Sequence, residues 1–172
     1  MKSEAIVELG KPLQTIESET PEPKGKEVLL KITHSGVCHS DVHIHDGYFD
    51  LGGGNKLPVG EMLNLPHTMG HEIEGEVVAI GPDVTNVEIG ANVVAYPWIG
   101  CGECATCKAG DEHYCNAPRQ LGIQLPGGFA DYCIVPDSKY VLDYSGIRPG
   151  LAATYMCSGL TAFGALKKFV NI

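Results

Sequence analysis

The sequence predicts a mainly β fold with short helices, and three features support this expectation. Glycine and proline are abundant, with 22 and 11 copies among 172 residues, and both are scattered rather than periodic. Short apolar or alternating segments recur between them, whereas stretches with helical periodicity are few. This combination is typical of a turn-rich globular domain, and the length suffices for one self-supporting core.

Six segments have the pattern of β-strands. In the second of them, Val28, Leu30 and Ile32 occupy alternate positions and therefore share one face. The segment at 73–80 alternates in the same way, and each such face can cover one side of a barrel or sandwich core. The predicted strands, in chain order, are residues 5–9, 27–34, 73–80, 92–96, 129–135 and 140–142.

Turns and helices complete the expected outline. Four clusters of glycine and proline predict chain reversals, at residues 10–12, 21–25, 81–83 and 125–128. One helix is expected at about 151–170, after the helix-breaking Pro149-Gly150 pair, and a shorter one near Ser40, whose hydroxyl could cap it. Residues 50–65 contain three consecutive glycines and are expected to form a mobile surface loop.

The charge pattern argues against two classes of partner. The formal net charge is −9 and the isoelectric point is near 5.1, so no basic face is expected for nucleic acid or anionic lipid. No apolar run approaches the roughly 18 residues that could span a bilayer. The first residues also lack the apolar core of a signal peptide. We therefore expect a cytoplasmic protein with neither nucleic-acid nor membrane partners.

The chain has seven cysteines, an odd number that disulfides alone cannot pair. Four of them are closely spaced, in the pattern Cys101-x2-Cys104-x2-Cys107-x7-Cys115. Four thiolates at such spacing suit tetrahedral Zn²⁺ and saturate it, which is typical of a structural site. Two alternatives stay open: four cysteines without metal, reduced or disulfide-linked, and an iron–sulfur cluster.

Other potential ligands are dispersed in three short motifs. These are Cys-His-Ser-Asp-Val-His at 38–43, Gly-His-Glu at 70–72 and Met-Cys-Ser-Gly at 156–159. Each motif alone is a weak signal. Together they could supply two thiolates and one imidazole, which is the ligand set of a catalytic zinc whose fourth position stays free for water or substrate.

The order of these motifs resembles the zinc-containing medium-chain alcohol dehydrogenases, whose catalytic domain is a GroES-like β-barrel. The similarity includes the Cys-His-Ser-Asp-x-His run, Pro-His-Thr-Met-Gly-His-Glu at 66–72, the four-cysteine segment and Cys-Ser-Gly-Leu-Thr at 157–161. The resemblance implies a GroES-like catalytic domain at 1–150 that includes a structural zinc lobe at 97–118. It also implies a linking helix at 151–172 toward a Rossmann coenzyme domain.

The resemblance also implies which residues bind metal. It makes Cys38, His71 and Cys157 the ligands of a catalytic zinc. The ligands of a structural zinc would be Cys101, Cys104, Cys107 and Cys115. Two Zn²⁺ ions per chain are therefore expected.

Matched positions carry the proton chemistry. Ser40 and His43 correspond to a hydroxyl and an imidazole that pass the alcohol proton to solvent. Glu72 corresponds to a carboxylate near the metal, although an ordinary strand carboxylate is the alternative. Asp41 would accept a hydrogen bond from His71 and orient its ring, or else be a solvated loop acid.

Other matched positions concern the cofactor and the substrate. His39 matches a position near the cofactor pyrophosphate, and Thr161 one near the nicotinamide, unless Thr161 is a helix-packing residue. Trp98 resembles an aromatic wall of the alcohol pocket, or else is a core residue. Cys133 lies in an apolar strand pattern and is expected to be a buried small side chain.

The resemblance implies oxidation of a small alcohol to an aldehyde or ketone with NAD or NADP, by a homo-oligomer when the protein is complete. No glycine pair continues into a dinucleotide-binding fingerprint, so the 172 residues are expected to be a fragment that is inactive alone. Two alternatives are a non-enzymatic zinc-binding module of this fold and a zinc polyol dehydrogenase or reductase of the same superfamily.

Overall fold

A computed structural model describes residues 1–170, and within them the expectation of a mainly β fold with short helices is confirmed. The strands are β1 (Lys2–Ile6), β2 (Gln14–Glu17), β3 (Val28–Gly36), β4 (Tyr48–Gly52), β5 (Asn55–Pro58), β6 (His67–Thr68), β7 (Glu72–Ile80), β8 (Asn92–Ala95), β9 (Tyr132–Val135) and β10 (Val141–Asp143). The α-helices are α1 (His39–Asp46), α2 (Ala105–Lys108) and α3 (Ser158–Phe169). Single 3₁₀ turns or short 3₁₀ helices occur at Gly60–Met62, Glu112–Tyr114, Ser138–Tyr140 and Ala152–Met156.

The larger sheet is antiparallel and has the strand order β10-β8-β7-β3-β9. Its central pair is β3 and β7, and two irregularities in their register, after Leu29 and after Ile32, bend β3. Val28 and Leu30 are buried as their alternation predicts, together with Ile73 and Val77 of β7. This sheet therefore holds most of the apolar core and provides the rigid support of the site.

A smaller sheet, in the order β2-β1-β6, closes over the larger one. The two are joined near the start of β9, where Ser3 and Ala130 form a bridge and the Glu4 amide donates to the Phe129 carbonyl at 2.8 Å. The short strands β2 and β6 were not predicted. β6 has only two residues and β2 is mostly exposed, so neither has a periodic apolar pattern.

Helix α1 follows β3 directly and is stabilised at its start by Asp41. The Cys38 amide donates to Oδ2 of Asp41 at 2.9 Å, so Cys38 occupies the capping position and Asp41 reaches back to it. The prediction that Ser40 caps this helix was wrong, because Ser40 lies inside the first turn. The helix ends at Gly47, whose φ of 81° requires glycine.

The surface loop expected at 50–65 is instead partly ordered into secondary structure. Strands β4 and β5 form a hairpin whose turn is the glycine run, with positive φ at Gly52, Gly53 and Gly54. A 3₁₀ turn follows at Gly60–Met62. The glycines thus mark a chain reversal between two paired strands.

The single helix expected at 151–170 is divided in two. The 3₁₀ helix at Ala152–Met156 ends at Cys157, whose φ and ψ of −132° and −78° interrupt the helical path before α3 begins. Asn171 and Ile172, the end of the predicted 151–172 linking segment, lie outside the described residues. No helix within residues 1–170 combines the length and the apolar character needed to cross a membrane.

Candidate metal centres

The four cysteines of the 101–115 segment converge on one point. Their Sγ atoms all lie within 4.8 Å of one another, and the Cys104–Cys107, Cys104–Cys115 and Cys101–Cys107 separations are 3.4, 3.8 and 3.9 Å. A tetrahedral zinc with Zn–S bonds of about 2.3 Å places its sulfurs about 3.8 Å apart. The separations fit that geometry and exceed the roughly 2.05 Å of a disulfide bond.

The backbone around these thiols is shaped to hold them as thiolates. The amides of Glu103 and Cys104 donate to Sγ of Cys101, and these hydrogen bonds lower the pKa of Cys101 to about 6. A Cβ at Gly100 would lie 2.5 Å from Sγ of Cys107, so only glycine lets the chain wrap this closely. Because burial raises the pKa of Cys107 to about 12, four thiolates here need a cation.

A second convergence brings together Cys38, His71 and Cys157 from three separate segments. Cys38 precedes α1, His71 precedes β7, and Cys157 lies where the 3₁₀ helix gives way to α3. Their ligand atoms lie within 4.8 Å of one another, and the two Sγ atoms are 3.8 Å apart. His71 is fully buried, yet neither of its ring nitrogens has an aligned hydrogen-bond partner. An unpartnered imidazole between two thiols is the donor set of an open zinc site.

Asp41 lies beside the imidazole of His71. Its Oδ1 is 3.3 Å from Nδ1 of His71, which is an ion-pair distance although the geometry falls short of a well-aligned hydrogen bond. The same carboxylate accepts from the amides of Cys38 and Gly70. At 2% exposure, Asp41 is a buried group, and the alternative of a solvated loop acid is wrong.

The electrostatics of this pocket favour positive charge. Burial by itself would lower the pKa of His71, but Asp41 and Cys157 outweigh it and raise that pKa to about 11. Burial likewise opposes ionisation of Cys38, while the Ser40 amide and His71 outweigh it and lower the pKa of this thiol. The same surroundings that raise the pKa of the imidazole would also favour a divalent cation between His71 and the two thiols.

Glu72 lies next to His71 in sequence but binds a different segment. Its Oε1 accepts from the amide and the hydroxyl of Ser158, at 3.0 and 2.8 Å. Glu72 is buried, so it differs from an ordinary solvated strand carboxylate. It connects β7 to the first residue of α3, immediately after Cys157.

The residues assigned to proton transfer lie on α1. Ser40 and His43 are half-buried and three positions apart, so they share one face of the helix. The His43 ring lies between those of exposed His39 and half-buried Phe49, with centroids 4.5 and 4.8 Å away.

Trp98 and Thr161 border an open cavity of about 550 Å³. The indole of Trp98 is half-buried, and its ring centroid is 6.0 Å from that of His71 in an edge-on arrangement. Its Nε1 donates to the Met156 carbonyl at 2.9 Å, which ties the indole to the segment that carries Cys157. Thr161 is exposed on α3. The cavity is lined by Tyr96, Trp98, His113, Tyr114, Leu160, Thr161, Gly164, Ala165 and Lys168.

Cys133, the seventh cysteine, is buried in the main core as predicted, and burial raises its pKa to about 12.

Sequence reasoning missed Glu112, which attaches the four-cysteine lobe to the sheet. Its carboxylate accepts from Nζ of Lys139 at 2.6 Å, from the amide of Gly100 at 3.3 Å and from the hydroxyl of Tyr140. Burial alone would raise the pKa of Glu112, but the bonds from Lys139 and Tyr140 outweigh it and lower that pKa. The partners are 12 to 28 positions away in the chain, so no local pattern could have indicated this role.

Comparisons with known proteins agree with this geometry. The chain is 42% identical over 169 residues to an NAD-dependent alcohol dehydrogenase of Saccharolobus solfataricus, covering 98% of this chain and 48% of that protein. A cobalt- and zinc-bound thermostable alcohol dehydrogenase from Pyrobaculum aerophilum superposes with a TM-score of 0.81 at 30% identity, covering 98% of this chain and 48% of that one. A D-arabinose dehydrogenase from Sulfolobus solfataricus gives 0.80 at 29% identity, with coverages of 98% and 48%.

The chain therefore spans about half the length of the relatives it matches. Residues 24–157 match the family of the alcohol dehydrogenase GroES-like domain. This match covers most of the chain and includes all seven cysteine and histidine residues of the two clusters, with Cys157 at its end. The GroES-like fold expected from the sequence is thereby confirmed, and the chain belongs to the alcohol dehydrogenase GroES-like domain family.

Proposed function

We propose that this chain is the catalytic part of a zinc-dependent alcohol dehydrogenase that oxidises small alcohols to aldehydes or ketones with NAD or NADP. The observation that carries the proposal is the convergence of Cys38, His71 and Cys157 around an unpartnered, buried imidazole. Within this proposal, residues 1–150 form the catalytic domain, with a structural zinc lobe at 97–118. The segment 151–172 leads toward a coenzyme domain.

The donor set fits zinc, which would supply the Lewis acidity that makes an alcohol lose its proton near neutral pH. Two thiolates balance the charge of the ion, so the centre would remain neutral before substrate binds. Asp41, whose Oδ1 is 3.3 Å from Nδ1 of His71, would orient the imidazole and leave Nε2 to bind the metal. Glu72 would be a carboxylate near the metal, able to approach it when the fourth ligand leaves.

Ser40 and His43 would move the proton. The Ser40 hydroxyl would accept the alcohol proton as it releases its own toward His43. His43 would then exchange that proton with solvent, because imidazole can both accept and donate a proton near neutrality. His39 and Thr161 would contact the pyrophosphate and nicotinamide of the cofactor. Trp98 would form one wall of the alcohol pocket, and its edge-on contact with His71 supports that place.

We predict two zinc ions in each chain, one in each cluster. Elemental analysis of the purified protein should give two zinc and no stoichiometric iron. Titration of native protein with a thiol reagent should leave the six ligand cysteines unreactive until a chelator is added. A content of one zinc with all seven thiols reactive would contradict the structural zinc site. Stoichiometric iron would instead assign the four-cysteine cluster to an iron–sulfur centre.

The relay predicts a change in pH dependence when His43 is replaced. In the full-length enzyme, His43→Gln should slow alcohol oxidation at pH 7 by at least about tenfold, since the alcohol proton loses its route to solvent. The deficit should shrink as pH rises, because hydroxide then removes the proton. The pH–rate profile and the zinc content measure this.

The matched control is His45→Gln, on the same helix, where the imidazole instead binds the Lys11 carbonyl. It should keep the wild-type pH profile. A wild-type profile for His43→Gln as well would remove His43 from the relay.

A related substrate class is the second candidate, since a D-arabinose dehydrogenase has the same fold over nearly the whole chain. The full-length protein should be assayed with ethanol, benzyl alcohol and sugar polyols, using NAD⁺ and NADP⁺. A preference for polyols would favour a polyol dehydrogenase. No turnover of any substrate by the zinc-loaded protein would favour a zinc-binding module without activity.

The proposal also includes a cytoplasmic location, where reductants keep thiols free for metal binding. A homo-oligomer is expected for the complete protein.

A further inference from the structure

Two buried carboxylates of β7 lie at opposite ends of the 3₁₀ helix that leads to Cys157. Glu72 and Glu74 are 2% and 1% exposed, and residues two apart on a strand point to the same side. Glu72 binds Ser158, the residue after Cys157. Glu74 binds Gly150, two positions before the 3₁₀ helix at Ala152–Met156.

Glu74 is unusually well bound for a charged group in a protein interior. The Gly150 amide donates to both of its oxygens, at 3.1 and 3.0 Å, and the Tyr144 hydroxyl donates to Oε1 at 3.1 Å. Nδ1 of His34, on the neighbouring strand, lies 3.2 Å from the same Oε1. A buried carboxylate is tolerated only when such donors replace its lost hydration. The hydrogen bonds therefore favour one position of the Gly150 segment relative to Glu74.

The backbone at Gly150 is adapted to this contact. Its φ of +79° favours glycine, and a Cβ there would lie 3.2 Å from the ring of His34. Immediately after it, Ala152 and Ala153 are almost fully buried. The segment from Gly150 to Ser158 is therefore attached to β7 by a carboxylate at each end and by small buried side chains between them.

We propose that Glu74 is a positioning residue that sets Cys157 relative to His71, and so shapes the metal site without touching the metal. The inference rests on the zinc role proposed above for Cys38, His71 and Cys157. His71 directly precedes β7, so an attachment between β7 and the Cys157 segment sets the distance between two ligands.

The test is the isosteric Glu74→Gln substitution in the full-length protein. Glutamine keeps the volume but removes the charge and one acceptor oxygen, so the Gly150 segment should loosen. Zinc release from the cluster of Cys38, His71 and Cys157 (the trio) to a chromophoric chelator should accelerate at least about tenfold, which corresponds to about 1.4 kcal/mol. With cobalt in place of zinc, the absorption of the mixed sulfur–nitrogen site should shift, while that of the four-thiolate site stays unchanged.

Glu76→Gln is the matched control, because Glu76 is exposed on the same strand. It should keep wild-type release and spectra. If Glu74→Gln fails to fold, Tyr144→Phe serves in its place, since it removes one donor to Glu74 at nearly constant volume. It should change both readouts in the same direction and by less.

Thermal unfolding separates positioning from simple stabilisation. If Glu74 positions the ligands, Glu74→Gln should narrow the difference in melting temperature between metal-loaded and metal-free protein. The reason is that metal binding stabilises the folded state more when its affinity is higher. The role of Glu74 would be overturned if the melting temperature fell equally in metal-loaded and metal-free protein. It would also be overturned if Glu74→Gln and Tyr144→Phe both kept wild-type zinc release and cobalt spectra. If the wild-type trio binds no metal, the proposed function fails first and this inference with it.

Discussion

Replacing Cys104 with serine is expected to release zinc from the four-cysteine lobe and to lower the free energy of unfolding by about 4 kcal/mol or more. The lobe has little regular structure of its own, since its longest helix has four residues. The metal would supply most of the energy that orders it. Zinc content and thermal unfolding measure the effect.

Cys133→Ala is the matched control, because it also removes a cysteine thiol but leaves both ligand clusters complete. It should retain two zinc ions and be destabilised only by the small cavity that it leaves. If Cys104→Ser kept two zinc ions and the melting temperature of the control, the four-cysteine cluster would not be a structural zinc site.

Replacing Cys38 with serine is expected to abolish most activity while preserving the fold. Loss of zinc from the trio removes several kcal/mol of Lewis-acid stabilisation, so kcat/KM of the full-length enzyme should fall by about 10³ or more. The fold should survive because the local contacts of Cys38 use its backbone: its amide binds Asp41 Oδ2 and its carbonyl accepts from the Asp41 amide. Kinetics, zinc content and unfolding should be measured together.

The two substitutions check each other. Cys104→Ser should retain metal at the trio in whatever protein folds, and Cys38→Ser should retain metal in the four-cysteine lobe. If Cys38→Ser unfolded the protein and Cys104→Ser mainly removed activity, the two assignments would have to be exchanged.

The sequence predicted the larger sheet well because a strand's pattern is local. The alternation at 27–34 and 73–80 matches β3 and β7, each within two residues at either end, and these strands form the central pair. Cysteine spacing was similarly informative for the 101–115 segment, because a short loop brings its own thiols together. The motifs around Cys38, His71 and Cys157 identified potential ligands, but they gained their meaning through resemblance to a family.

Tertiary structure decided the features that depend on distant partners. Helical periodicity continues through Cys157, and only the packing of the 3₁₀ helix on β7 shows that the chain breaks there and directs the thiol inward. The glycine run at 52–54 predicted a loop, whereas pairing of its flanking strands makes a hairpin.

The roles of Glu74 and Glu112 illustrate the same limit. Each reads in the sequence as an ordinary acidic residue, yet Glu74 binds an amide 76 positions away and Glu112 a hydroxyl 28 positions away. The sequence by itself therefore determined the strands of the larger sheet, the four-cysteine cluster and the candidate ligands, because these depend on neighbours along the chain. Which carboxylates bind the segments that carry those ligands was decided only when the folded chain brought their hydrogen-bond donors within reach.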